Sequence, residues 1–476
     1  MRWTRKSRRL GCVIGLAAVS LGLSADEVRT FTAPDGRTLE GTVLGFPSER
    51  SVEIRRSDGQ VFVLPFDQLA QQDQIWLEAA RAEAISGPDG PTLNEALGQP
   101  VFGQDLNLWQ EPVDAVARRL GWPRESKTSR LSSFRTYPRS RKTLLGARFH
   151  TAALYGEDGR PERLSLVFAN KGDSVHELKG ARDLEQKLQE AIDRDATLLE
   201  SRLTELLGQP SRQSLGEGRG TRLRALRWDA GPTAFLLAAE DLEYVGLQIM
   251  PSPLADEGGL KRRLSDNDIR NRAMANIEER PNGDVVVGNI PMVNQGPKGY
   301  CVPATMERYL RYLGMSADMY LLALAGQTNL GGGTYLTPLI EGVRYRLQRN
   351  NRDFDVVEAP LSIRLLDDYL DDGLPVMWSL HSTPTFNRLT KQRTRHRKRV
   401  TDWDTWEKQL RESRRAADDL PPHHGQNRHM AMIIGYNPDT GEIAFSDSWG
   451  PDYQERWITE EEAARFSQDR FYVIDF

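Results

Sequence analysis

The sequence predicts an α+β protein of several domains: a small β-barrel in front, a duplicated α+β region in the middle, and a last domain joining a helical half to an antiparallel sheet. Three patterns predict it. Before residue 85, short alternating apolar runs are separated by turn signals. Between 93 and 250, a helix-like segment followed by strands occurs twice. After 285, an amphipathic helix that opens on Cys301 precedes strand-like apolar runs. At about 150 residues per domain, a chain of 476 residues suits about three domains, and a hydrophobic share of 39% is enough for folded cores.

The first 25 residues read as an export leader. Arg2, Arg5, Lys6, Arg8 and Arg9 precede the apolar run Gly11 to Leu23, and Ser24-Ala25 offers a small-residue cleavage site. That run is too short for a stable membrane span. Losing five basic residues takes the formal charge from −4 to −9, which argues against a nucleic-acid binder. Cys12 leaves with the leader. The one cysteine that remains, Cys301, cannot form an internal disulfide, and a lone thiol in an exported chain points to reactivity.

Residues 26–85 give the barrel pattern: Thr38 to Leu44, Ser51 to Arg55 and Val61 to Leu64, divided by Pro34-Asp35-Gly36 and Ser57-Asp58-Gly59. With the following Asp73-Gln74-Ile75-Trp76-Leu77, this order resembles the Sla-homology module, an SH3-like barrel of exported bacterial proteins. The resemblance implies a docking role toward an envelope or extracellular partner; a barrel that only adds stability is the alternative. The Pro/Gly-rich stretch Ser86 to Pro91 leads to residues 93–250. There the segment ending Leu120-Gly121-Trp122-Pro123 is matched by one ending Leu207-Gly208-Gln209-Pro210, and strands follow each. His150 and His176 have no partner at metal-ligand spacing and read as surface or packed histidines. Residues 251–284 are polar and charged, either a linker or a pro-segment that crosses a cleft. Every candidate for chemistry lies after 290, so residues 26–250 are expected to be dispensable for acyl chemistry on a small substrate but needed for localisation or for a natural target.

In the last domain, 285–476, Met306, Tyr309, Leu310 and Leu313 fall at i, i+3, i+4 and i+7, and Gly314 ends the run. Cys301 therefore opens a helix, where unpaired N–H groups and the helix dipole favour a thiolate; a buried structural cysteine is the alternative. Gln295, six residues earlier, can aim an amide at an oxyanion beside the sulfur. Arg428 to Tyr436 reads as a buried strand that opens on His429. The turn Asn437 to Gly441 returns the chain to Asp447-Ser448-Trp449-Gly450. A hairpin of this length makes His429 and Asp447 neighbours and supplies nucleophile, base and orienter.

These residues resemble the papain-like cysteine peptidases. Their pattern is a Gln six residues before the Cys, a His opening a strand that ends in Gly-Tyr, and an Asn or Asp before Ser-Trp-Gly. It is met here by Gln295 and Cys301, by His429 with Gly435-Tyr436, and by Asp447 with Ser448-Trp449-Gly450. Cys301-Val302-Pro303-Ala304 looks more like the bacterial branch related to bacteriocin-leader peptidases, although Val302 stands where that branch commonly has Gly. The resemblance implies a papain-like fold for 285–476 and an exported cysteine peptidase, periplasmic, in the cell envelope or extracellular. It would hydrolyse peptide or protein substrates through an acyl-thioenzyme on Cys301, His429 and Asp447, with Gln295 in the oxyanion hole and no cofactor or metal. The alternatives are a silent peptide-binding receptor, or an amidase or acyl transferase with the same triad. Because the papain pattern itself carries Asn in the third place, Asp447→Asn is expected to keep activity that Asp447→Ala loses.

Other stretches are set aside. Gly331-Gly332-Gly333 has no Lys-Ser/Thr after it, which argues against a phosphate loop in favour of a substrate-facing turn or a connector. His381 ends a strand and has no role in the triad. His423 and His424 lack a completing carboxylate or Cys, which argues against zinc. The basic run Arg388 to Arg399 is either a solvated insertion loop or a surface that captures acidic substrate or an envelope polymer.

Overall fold

The structure, a computed structural model, describes residues 28–475 apart from 49, 87–88, 105, 140, 175–182, 219, 421–424 and 426. The leader at 1–25 lies outside the described residues, as do His176, His423 and His424. The chain mixes helices with several sheets and divides into two compact units, one ending at Asp89 and one beginning at Gly90. Among the described residues no helix is long and apolar enough to cross a membrane.

In the first unit, alternation of small apolar side chains gives an antiparallel meander of β1 (Arg29–Thr32), β2 (Thr38–Ser48), β3 (Ser51–Arg56) and β4 (Val61–Pro65). Phe31, Leu39, Val52, Ile54 and Leu64 form its core with Leu77 of the helix Gln71–Ser86. Buried Asp73 ties that helix to β1 by accepting from the Thr32 N–H at 2.7 Å. Among the described residues the strands of the expected barrel pair in the order β1-β2-β3-β4. The β2–β3 ladder carries two register shifts, the irregularity by which a strand can bend, and among the described residues no ladder joins β1 to β4.

The second unit begins with an eight-stranded antiparallel sheet made of two meanders. One is β5 (Arg124–Lys127), β6 (Leu131–Thr136), β9 (Thr151–Glu157) and β10 (Arg160–Asn170), with the small hairpin β7 (Thr143–Leu144) and β8 (Ala147–Arg148) inserted. The other is β11 (Ser211–Leu215), β12 (Leu223–Ala230), β13 (Thr233–Glu240) and β14 (Tyr244–Pro251). They join where β10 pairs with β14. A helix precedes each, Val113–Leu120 and Leu184–Leu207. The Leu-Gly pair that ends both helices has a common cause, since Gly121 and Gly208 take positive φ, 68° and 84°, where a helix is closed at little cost only by glycine.

The last sheet runs β15 (Ile277–Glu279), β16 (Val285–Val287), β19 (Arg428–Asn437), β18 (Val376–His381), β22 (Ser467–Asp475), β17 (Asp353–Glu358). β20 (Glu442–Ser446) continues from β19, and β21 (Arg456–Thr459) from β20. The segment 251–284 thus carries two short helices, Ser252–Asp256 and Asp266–Met274, and then adds an edge strand to this sheet. Gly435 sits where β16 and β20 both press on β19; a Cβ there would lie 2.3 Å from the Val285 carbonyl oxygen.

Between the two large sheets lies the cysteine helix, Cys301–Tyr312. Met306, Tyr309, Leu310 and Leu313 enter the core of the last sheet, whereas Ala304 enters the core of the eight-stranded one. The helix is buried all round, including Glu307, Arg308 and Arg311, so its charged side faces protein rather than solvent.

Candidate active site

Cys301 is the first residue of its helix, after Tyr300, and is half-buried with a free thiol. β19 carries His429 and the hairpin into β20 returns Asp447, so that His429 Nε2 lies 2.8 Å from Asp447 Oδ1. The ring also hydrogen-bonds the Cys301 thiol. With Nε2 turned to the carboxylate, Nδ1 is the nitrogen left for sulfur. The Trp449 ring stacks on the imidazole, with centroids 4.7 Å apart, and covers it from water.

These contacts polarise all three groups. Burial pushes the Cys301 thiol up, but the hydrogen bond and charge of His429, with backbone hydrogen bonds of Met430 and Val302, hold it below its ordinary value. Burial lowers the His429 imidazolium, yet its bonds to Asp447 and Cys301 carry it up to about 9. Burial raises the Asp447 carboxyl, and His429 and Arg456 together bring it below the usual range. The arrangement favours a thiolate beside an imidazolium.

Gln295 lies in the loop before the helix. Its backbone N–H donates to Ser448 O at 2.9 Å, which ties that loop to the Asp447 turn. The side-chain Nε2 donates to Lys298 O at 3.0 Å, and Oε1 is buried without a partner among the described residues.

Several residues around the site gave no signal in the sequence. Arg456 donates one bond to Asp447 Oδ2 and further ones to Thr390 and Asn387. Arg308, on the cysteine helix, donates to Pro291 O at 2.9 Å and Ser446 Oγ at 2.6 Å, bracing the chain on either side of the triad. From the eight-stranded sheet, Ser126 Oγ accepts from the Met292 N–H at 2.8 Å, Glu125 from the Asn294 N–H at 2.6 Å, and Tyr137 donates to Asn294 O at 2.6 Å. Asp173 pairs at 3.1 Å with Lys298, a fully buried ammonium among the rings of Tyr137, Tyr300 and Tyr320. The contacts that reveal these roles span from 9 residues, for Arg456 and Asp447, to 169, for Glu125 and Asn294, and an arginine followed by tryptophan at 456–457 has no pattern of its own.

Gly331 to Gly333 lie against the cysteine loop. Gly332 bridges in parallel to Gly299, the Gly333 N–H donates to Gly299 O at 3.1 Å, and a Cβ on Gly332 would come within 2.6 Å of Gly299 backbone. The glycines thus brace the cysteine loop. The basic run is a helix, Pro384–Arg397, not an inserted loop. Arg393 pairs with Glu462 at 2.5 Å, and Arg397 with Asp284 at 2.5 Å and Glu442 at 3.1 Å, all buried, while Arg388, Lys391 and Arg395 face solvent. His381 is buried at the end of β18, opposite Arg428 in register, and His150 stands at the entry to β9.

Residues 287–474, less than half of the chain, match the model of the Peptidase_C39 like family. No curated protein matches the chain. The matched segment contains Cys301, His429 and Asp447, and its similarity to the Peptidase_C39 like family supports a cysteine peptidase-type function for the last part of this chain.

Proposed function

We propose that the chain is an exported, papain-like cysteine peptidase that hydrolyses peptide bonds on a Cys301–His429–Asp447 triad. The observation that carries the reading is the His429 ring, bonded through one nitrogen to Asp447 at 2.8 Å and through the other to the Cys301 thiol. In the reaction, the Cys301 sulfur attacks the peptide carbonyl carbon and the carbonyl electrons move to oxygen. The proton that His429 took from the thiol passes to the amine as the C–N bond breaks, leaving an acyl-thioenzyme. Water, deprotonated by His429, then attacks the acyl carbon and the thiolate departs. The Cys301 N–H and the second N–H of the Gln295 amide would hold the oxyanion. Asp447 keeps the imidazole in the tautomer that presents Nδ1 to sulfur. An amidase or acyl transferase would use the same first step and differ only in the acceptor of the acyl group. Export rests on the basic and apolar pattern of residues 1–25, and a docking role for the first unit on its likeness to the Sla-homology module.

The test is labelling with an electrophilic peptide probe followed by mapping of the adduct. Labelling at Cys301 faster than at a free thiol is expected, and His429→Ala should slow acylation by roughly two to four orders of magnitude. Free-thiol behaviour in folded protein would favour the peptide-binding receptor instead.

A further inference from the structure

Asp447 is shared. Its Oδ1 takes the His429 bond, and its Oδ2 accepts from Arg456 Nη1. Arg456 is itself immobilised. It lies on β21, opposite Phe445 in register, 4% exposed. Its Nη2 donates to Thr390 Oγ1 and, at 3.3 Å, to Asn387 Oδ1, both on the helix Pro384–Arg397. The Thr390 hydroxyl proton is already given to Phe386 O at 2.9 Å, so its lone pairs face the guanidinium. The rings of Phe445, Tyr453, Phe386 and Trp449 surround the cation, with centroids 5.0 to 5.8 Å away.

We propose that Arg456 is a positioning residue for the triad and the reason its third member is a carboxylate rather than an amide. The inference rests on the triad reading above. A guanidinium keeps its protons at any working pH and can only donate. The third member must therefore accept from two donors at once, Arg456 and the Nε2–H of His429. A carboxylate does so; an amide has one accepting oxygen. With asparagine at 447, Arg456 claims that oxygen and the NH2 group turns to His429. The imidazole is then forced to accept at Nε2 and to carry its proton on Nδ1, facing the thiol, where it cannot take the cysteine's proton. The expectation that Asp447→Asn would be tolerated assumed a single donor at this position, and the second donor reverses it.

The test uses the full chain and four variants: Asp447→Asn, Arg456→Met, the two combined, and Asp447→Asn with Arg456→Lys. The readouts are the rate of Cys301 alkylation by iodoacetamide at neutral pH and the His429 ring tautomer by 15N NMR, with melting curves as the check on folding. Asp447→Asn should move the ring proton to Nδ1, the wrong tautomer for a base, and its Cys301 should alkylate like a free thiol. Arg456→Met alone should stay within about tenfold of wild type, because His429 keeps its acceptor. The double variant should regain at least about fivefold over Asp447→Asn, as expected for two residues in one network, with the ring proton back on Nε2. The lysine combination should regain nothing, since lysine still donates. If Arg456→Met does not fold, Arg456→Gln replaces it, because a glutamine oxygen can accept from the asparagine NH2. A folded double variant as slow as Asp447→Asn, an unchanged tautomer, or equal recovery with lysine would overturn the proposal. A wild-type Cys301 that alkylates like a free thiol would overturn the peptidase reading instead, and the tautomer measurement would still report on Arg456.

Discussion

The two sheets that enclose the cysteine helix bury it by different means. Toward the last sheet the contact is apolar, with Met306, Tyr309, Leu310 and Leu313 packed among side chains such as Val376, Trp378 and Met432. Toward the eight-stranded sheet it is charged. Glu307 accepts from Tyr155 at 3.0 Å and from the Met319 N–H at 2.8 Å, with Arg135 and Arg311 each 3.7 Å away. Burial lifts its carboxyl to about 7 against the pull of those arginines. The last sheet carries His429 and leads into Asp447, and so holds two members of the proposed triad. The eight-stranded sheet supplies no triad residue, yet it bonds Met292, Asn294 and Lys298 in the loop before Cys301. A sheet can therefore belong to an active site without contributing a reacting group, because the nucleophile's position depends on the loop that leads to it.

Four outcomes break or sharpen this contrast, beginning with the largest. A chain starting at Arg280 keeps the apolar contact and loses the charged one, leaving Glu307, Arg311, Tyr300 and Tyr320 uncovered. It should fail to fold cooperatively, whereas a chain starting at Gly90 should keep a full melting transition and wild-type Cys301 reactivity. This bears on the expectation that residues 26–250 are dispensable for acyl chemistry on a small substrate, because Glu125, Ser126, Tyr137 and Asp173 all bond the loop before Cys301. Finding the short chain folded and active would remove the supporting role assigned to the middle sheet.

Next is the buried ion pair. Lys298→Met suits the three surrounding rings but strands Asp173, and losing one partner of a buried pair costs about 3–5 kcal/mol. Denaturant melts should show that loss. Adding Asp173→Asn should restore part of it, and full additivity of the two changes would deny the coupling.

The pH profile separates chemistry from support. His429 titrates at about 9 in the fold, and in the proposed reaction its protonated form is the acid that releases the amine. The acylation rate should hold up to that pH and fall by about tenfold for each further unit. The Lys298→Met variant should lower the plateau and leave the limb where it is, since Lys298 does not touch the imidazole; a displaced limb would mean that the two sheets share one electrostatic network. The smallest effect belongs to Tyr137→Phe, which deletes only the donor to Asn294 O. A single buried hydrogen bond is worth about 1 kcal/mol, so acylation should slow by no more than roughly fivefold, with the melting temperature nearly unchanged.

What the sequence determined by itself is local or nearly so. The spacing of Met306, Tyr309, Leu310 and Leu313 defined a helix and one of its buried faces, because a 3.6-residue period is written in the chain. A hairpin fixes its own register, so His429 and Asp447 could be paired from 18 intervening steps of sequence. The repeated Leu-Gly marked two helix ends for a backbone reason that any reader of the chain can apply. Tertiary structure alone decided the rest. The basic run from 388 to 399 became a helix whose Arg393 and Arg397 are buried, because Glu462, Asp284 and Glu442 arrive from distant segments to pair with them. Glu307, Arg308 and Arg311, which a helical wheel assigns to solvent, are buried because a second sheet supplies partners for them. Arg456 reaches Asp447 only through the β20–β21 pairing. A buried charge needs its counter-charge close by, and nothing in the local pattern of a sequence says where that partner will come from.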